Sequence, residues 1–286
     1  MTDTKTFVVR HPVVTYFVLT FLISWGGILV VLGPGAFTGA TVPTEALLPL
    51  VFLAMFAGPS VAGILMTGLV DGKAGFHDLR SRLLKWRVGV RWYVVALLTA
   101  PLVATAVLLP LSFSFAGFLP ALFASDDKAS LLVFGLAAGL MTGLCEELGW
   151  TGFVIPRLRR RYGVLTTGLI VGLLWGAWHF PLFSGGDLSG ALPLALFLSV
   201  QLFSFLAAYR VLMVWVYDRT RSLPVAMLMH ASLTASTLIL QPIDVTGMRV
   251  VTYDLILTAA FWLLIAALAM ANGRQLARAP LRTRVA

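Results

Sequence analysis

Eight stretches of this chain, roughly residues 12–33, 46–70, 92–115, 130–155, 164–183, 191–216, 222–241 and 251–272, are each long and apolar enough to cross a lipid bilayer. Because lipid offers the backbone no hydrogen-bond partners, runs of this length must satisfy themselves as helices. The fold class is therefore all-α, a polytopic membrane bundle of about eight transmembrane helices. Charged residues make up 12% of the chain and hydrophobic ones 59%, against about 25% charged in an ordinary soluble domain. The outer surface must face lipid, and the chain reads as a multi-pass integral protein of the cell membrane.

Eight spans put both termini on one side, and the basic residues choose which. Lys5, Arg10 and the basic residues of 73–91, 157–161, 210–221 and 274–284 all fall together, leaving Lys128 and Arg249 opposite. Both termini are thus expected in the cytoplasm. The net charge of +9 follows from this topology, so membrane lipid is the expected partner and nucleic acid is not. In FHDLRSRLLKWRVGVRW (76–92), Leu79, Leu83 and Trp86 recur at helical spacing among arginines, as in a cytoplasmic interfacial helix on anionic headgroups. The start, MTDTKTFVVRHP, shows no small-residue cleavage site, and the first apolar run is read as a retained span. The single cysteine, Cys145, excludes an intramolecular disulfide framework and a cysteine zinc cluster. It reads as a small buried residue.

Two glycine stripes mark close helix contacts. Gly135, Gly139 and Gly143 in span four and Gly168, Gly172 and Gly176 in span five recur every fourth residue, which lets backbones approach. Spans four and five are expected to pack tightly, with each other as one arrangement. Glu147 is the next position of the first stripe.

Most acidic residues can reach a loop or interface, including Asp187, Asp218, Asp244 and, near the start of the last span, Asp254. Glu146 and Glu147 cannot easily do so. Histidine divides similarly, with His11 and His77 in basic interfacial stretches and His179 and His230 inside spans five and seven. Ionisable groups at membrane depth mark functional sites by default. Two carboxylates and two imidazoles in a cavity enclosed chiefly by spans four, five and seven would provide a base, a second proton carrier and donors for an oxyanion. Adjacent helical residues diverge by about 100°, so Glu147, on the stripe, is the packed partner and Glu146 the cavity-facing base. Bland readings stand beside these: a structural carboxylate pair, a helix-capping His179, an interhelical hydrogen bond from His230, and packing roles for Trp150, Trp175, Trp178 and Phe180.

EELGWTGFVIPRL (146–158), WGAWHF (175–180) and HASLT (230–234) resemble, in order and spacing, the EExxxR, FxxxH and HxxxN/D motifs of the CPBP (Abi) family of CAAX prenyl endopeptidases and bacteriocin-processing or immunity proteins. The resemblance covers about residues 129–238. It divides the chain into three N-terminal helices with a basic interfacial segment 73–91 (1–128), a CPBP-like catalytic core (129–238), and a last helix with a basic tail (239–286). It implies an intramembrane endopeptidase in which Glu146 activates water with help from His179. His230 and Thr234 would line the oxyanion site, and their i, i+4 spacing puts both on one helix face. A peptide or membrane-protein substrate is the expected partner.

Three departures stand out. Thr151 occupies the arginine position of the first motif, which removes the cation expected beside the carboxylates, and Arg157 lies too far along the helix to replace it. Trp175 replaces phenylalanine, and Thr234 replaces Asn/Asp. Drawn with these spans, His179 lies about 10 Å in depth from Glu146 and His230. Glu146, His179 and His230 are also candidate ligands for a catalytic zinc, although no HExxH pair is present, and the preferred reading is a glutamate mechanism without obligatory metal. Two other classes stay open: a non-proteolytic immunity or scaffold protein, favoured by the missing arginine, and a proton-coupled transporter.

Overall fold

The computed structural model describes residues 2–184, 194–242 and 245–271. The basic tail 274–284, Asp187 and Asp244 lie outside these residues. The helices are α1 (Thr2–Arg10), α2 (Pro12–Leu32), α3 (Leu48–Leu83), α4 (Val90–Ser114), α5 (Ala121–Ala124), α6 (Lys128–Gly149), α7 (Ile155–Leu158), α8 (Val164–Trp178), α9 (Phe180–Phe183), α10 (Leu194–Phe203), α11 (Phe205–Thr220), α12 (Leu223–Leu240) and α13 (Met248–Ala271). A π-helical turn, Trp150–Val154, joins α6 to α7. No strand occurs among the described residues.

Among the described residues, seven segments are long and apolar enough to cross a membrane. The chain is a multi-pass membrane helix bundle. Its remaining expected span is α8, 15 residues long, which rises about 22 Å where a hydrocarbon core needs about 30 Å. His179 is the C-cap residue of α8, as its helix-capping reading expected, and is half-buried.

The α10–α11 and α12 spans are 72% and 67% buried, against 22% for α13, so they form the centre. Helix α12 packs on α6 and α4, and α11 on α8 and α13. Each glycine stripe has its own partner, which corrects the expected pairing of spans four and five. Gly139 and Gly143 abut the α12 backbone at Ala231 and Met227, and a Cβ on Gly139 would lie 3.1 Å from the Ala235 side chain. Gly168 and Gly172 abut α11, where their Cβ atoms would lie 2.6 and 2.7 Å from the Cα atoms of Val211 and Ala207. A stripe of small residues permits close approach without choosing the neighbour.

The turn between α11 and α12 fixes their register. Arg221 adopts a left-handed conformation (φ 52°), Ser222 accepts from the Val225 amide at 3.3 Å, and its hydroxyl donates to the Lys85 carbonyl at 2.6 Å. Tyr209 donates to the Met229 carbonyl at 2.8 Å, tying the hairpin together beside Arg210 and His230.

Two expectations about charge placement change. Arg210, counted with a cytoplasmic turn, lies within α11 and is fully buried. Asp254, expected to reach an interface, is buried. The interfacial segment is the end of α3 beyond a kink at Gly72 (φ 58°), and its Leu79 docks on Leu223 and Met227 while Trp86 remains exposed.

Candidate active site

Glu146 and Glu147 end α6 at 1% and 0% exposure, and each is engaged by the residue four positions on, where the π-turn begins. The Trp150 indole donates to Glu146 Oε2 at 3.1 Å, and the Thr151 hydroxyl donates to Glu147 Oε2. Such turns recur at functional sites because they re-aim side chains within a helix. Trp175, from α8, donates a second indole N–H to Glu146 Oε2 at 2.9 Å. Among the described residues nothing hydrogen-bonds Oε1, which leaves that oxygen open for chemistry.

Glu147 sits in a different environment. Its Oε1 accepts from Arg210 Nη1 at 2.8 Å and lies 2.7 Å from His230 Nδ1. A carboxylate paired with arginine is an acceptor only, so Nδ1 carries the proton. The opposite ring nitrogen, Nε2, is 3.9 Å from Glu146 Oε2. His230 therefore stands between the two carboxylates, bonded to one and facing the other. The glycine stripe explains the first contact: residues 139 and 143 bring α6 onto α12, and Glu147, one turn further, meets His230.

His179 follows the same pattern through a carbonyl. Its Nδ1 is 2.8 Å from the Trp175 carbonyl oxygen, an acceptor, so this nitrogen donates and Nε2 is free. The Trp175 ring lies edge-on to both histidines, at 5.5 Å from His179 and 4.9 Å from His230. His179 makes no hydrogen bond to Glu146 among the described residues. Thr234 is half-buried one turn beyond His230 and bonds neither glutamate nor His179 among the described residues. Glu147 and His230 meet directly, and His179 joins the same centre through the Trp175 ring, which lies edge-on to both imidazoles.

Arg210, Trp150 and the indole N–H of Trp175 are the residues that motif reading missed. Arg210 is the most consequential, because its guanidinium both pairs with Glu147 and stacks 4.1 Å over the Trp175 ring. Its signal was present: a lone arginine inside FLAAYRVLMVWVY (205–217) is an ionisable group at membrane depth. Arg157 does not approach the site and instead pairs with Asp71. Span six thus joins spans four, five and seven in walling the polar centre.

Zinc would require Glu146, His179 and His230 to meet at about 2.0–2.2 Å from one point. Among the described residues no three His, Cys, Asp or Glu side chains gather in a metal-holding group, and Glu146 Oε2 is already occupied by two indoles. As arranged, these donors do not fit a preformed zinc site.

Fold and centre together define a class: a multi-pass helical membrane protein whose paired glutamates, two histidines and one arginine meet in the interior. Residues 128–236 match the family model described as type II CAAX prenyl endopeptidase Rce1-like, so the resemblance drawn from the three motifs is borne out over the segment that carries them. The chain is also 25% identical over 175 residues to CAAX prenyl protease 2 of Methanococcus maripaludis, a match covering 58% of this chain and 61% of that protein.

Proposed function

We propose that this protein is an intramembrane endopeptidase that hydrolyses a peptide bond with a water activated by Glu146. The observation that carries this reading is the asymmetry of Glu146: Oε2 is held by two indole N–H groups, with His230 Nε2 3.9 Å from that same oxygen, while Oε1 makes no hydrogen bond among the described residues. A fixed carboxylate with one free oxygen is the arrangement a general base needs. Glu146 takes a proton from water, the hydroxide oxygen attacks the carbonyl carbon, and Glu146 returns the proton to the amine nitrogen as the C–N bond breaks. His179, anchored through Nδ1, turns Nε2 towards the same water. His230 and Thr234 face the carbonyl oxygen, and His230 stabilises the developing charge when Nε2 is protonated. The products are one carboxylate and one amine.

The substrate class is a peptide tethered to or embedded in the membrane. A lipid-modified C-terminal peptide is the first probe to use, because the relative is named for prenyl-protein cleavage, and a leader peptide is the second. Glu146→Gln keeps shape and hydrogen-bonding bulk while removing the base. With purified full-length protein in detergent, kcat is expected to fall by about 10²–10⁴-fold. Cleavage by the variant at the wild-type rate would overturn the reading.

A further inference from the structure

We infer that Arg210 has taken over, from a different helix, the task of the arginine that the first motif lacks, and that it positions His230 through Glu147. This rests on the proposed endopeptidase reading, because the residue it positions is one that reading uses. The starting point is Thr151, which stands in the arginine position four residues after Glu147 and donates its hydroxyl to Glu147 Oε2. Position 151 therefore points at the carboxylate but supplies no charge. The charge comes to the other oxygen, from Arg210 on α11, at 2.8 Å.

Burial makes this pairing a requirement. Arg210 and Glu147 are both 0% exposed, and removing either member of such a pair strands the other charge in a medium that cannot solvate it. Geometry then gives the pair its use. Arg210 and His230 Nδ1 share Glu147 Oε1, so the guanidinium keeps that oxygen in the acceptor state that holds the Nδ1 proton and aims Nε2 at Glu146. Through its π-face contact with Trp175, whose N–H reaches Glu146, Arg210 also braces the donor that orients the general base. One side chain thereby links both carboxylates. It touches neither water nor peptide in the scheme above, so it is a positioning residue.

Lysine would serve poorly. Its ammonium is a compact point charge that cannot donate in plane to Glu147 while lying flat on an indole. Two N–H groups of Arg210, Nε and Nη2, have no partner among the described residues, so the guanidinium is held at this spot by its single carboxylate bond and its ring contact.

The test moves the charge back to the motif position. Arg210→Gln, Arg210→Lys, Thr151→Arg and the Arg210→Gln/Thr151→Arg double variant are compared as full-length proteins, using cleavage of a farnesylated C-terminal peptide and the ¹⁵N NMR signature of His230, assigned by its loss in His230→Gln. Arg210→Gln is expected to lower kcat by about 10–100-fold, as for loss of a residue that orients a reacting group, with KM within about threefold. The Nδ1–H signature of His230 should be lost with it. The double variant should regain about tenfold of the lost kcat together with that signature, which a merely structural arginine on α11 would not allow. If Arg210→Gln does not fold, Arg210→Lys and the double variant decide: about a tenfold lower kcat in the first, with rescue in the second, supports the inference. Full activity in a folded Arg210→Gln or Arg210→Lys protein, or an unchanged His230 signature, overturns it. A wild-type protein that cleaves no peptide, yet whose His230 signature follows the position of the arginine, would sink the endopeptidase reading and leave the positioning intact.

Discussion

Two indole N–H groups on one carboxylate oxygen hold Glu146 in a single orientation, and each can be removed without emptying the site. Trp175→Phe restores the aromatic residue of the family's second motif and deletes only the donor. Because Trp150 still donates, the loss is one hydrogen bond of about 0.5–1.5 kcal/mol, and kcat is expected to fall about three- to tenfold. Unaltered kcat would show that the indole N–H does not orient the base. The metal question belongs to the same scale. Donors that do not gather around one point predict cleavage that persists after exhaustive chelation, and abolition with recovery on stoichiometric zinc would refute that. Glu146, Glu147, His179 and His230 could all be found from residue type and depth, because an ionisable group in an apolar run is conspicuous. Arg210 is equally ionisable, but it falls at the drawn end of span six, where a basic residue counts towards topology. A charge at the drawn end of a span looks like topology until the helix is seen to continue to Thr220.

At the scale of elements, spacing revealed which helix faces were smooth and withheld which faces met. The contact surface depends on what the neighbour offers, and Ala231 and Ala235 on α12 or Ala207 on α11 form no stripe that stands out in an apolar sequence. The consequence is testable with Gly139→Leu. Overpacking of this kind destabilises by about 1–3 kcal/mol, and here it would also lever α6 from α12 and part Glu147 from His230. A lowered apparent melting temperature with loss of cleavage is expected. A variant that melts lower but cleaves normally would mean the stripe serves stability alone. The start of α6 is capped: Asp127 accepts from the Ser130 amide at 3.0 Å, and hydrogen bonds from Ser130 hold its carboxyl below the ordinary range. The end of α8 at His179 is the capping position weighed beside its catalytic reading, whereas the π-turn Trp150–Val154 has no marker in the sequence.

For the whole molecule, the positions of the spans were readable because hydropathy is a bulk property that tolerates boundary errors. Orientation is a further inference from charge, and moving Arg210 from loop to core leaves the asymmetry of the remaining basic residues standing. Reporter fusions at Phe37 and Leu188 should therefore report the outer side, and fusions after Tyr162 and Pro280 the cytoplasm. An outer-side signal after Tyr162 would invert the whole arrangement.

Trp150 is walled on one flank by Tyr16 and Phe17 of α2, with ring centroids 5.6 and 5.7 Å away, although α2 lies outside the segment that matches the family model. The motifs are thus not a portable cassette. Exchanging residues 1–127 for the corresponding helices of a distant relative would preserve every signature letter yet leave the indole that steadies Glu146 with an unfamiliar neighbour. Inheritance of the first spans is tied to that of the chemistry they shelter, and the lineage of such proteins should be traced through the fit between α2 and the π-turn as much as through the glutamates themselves.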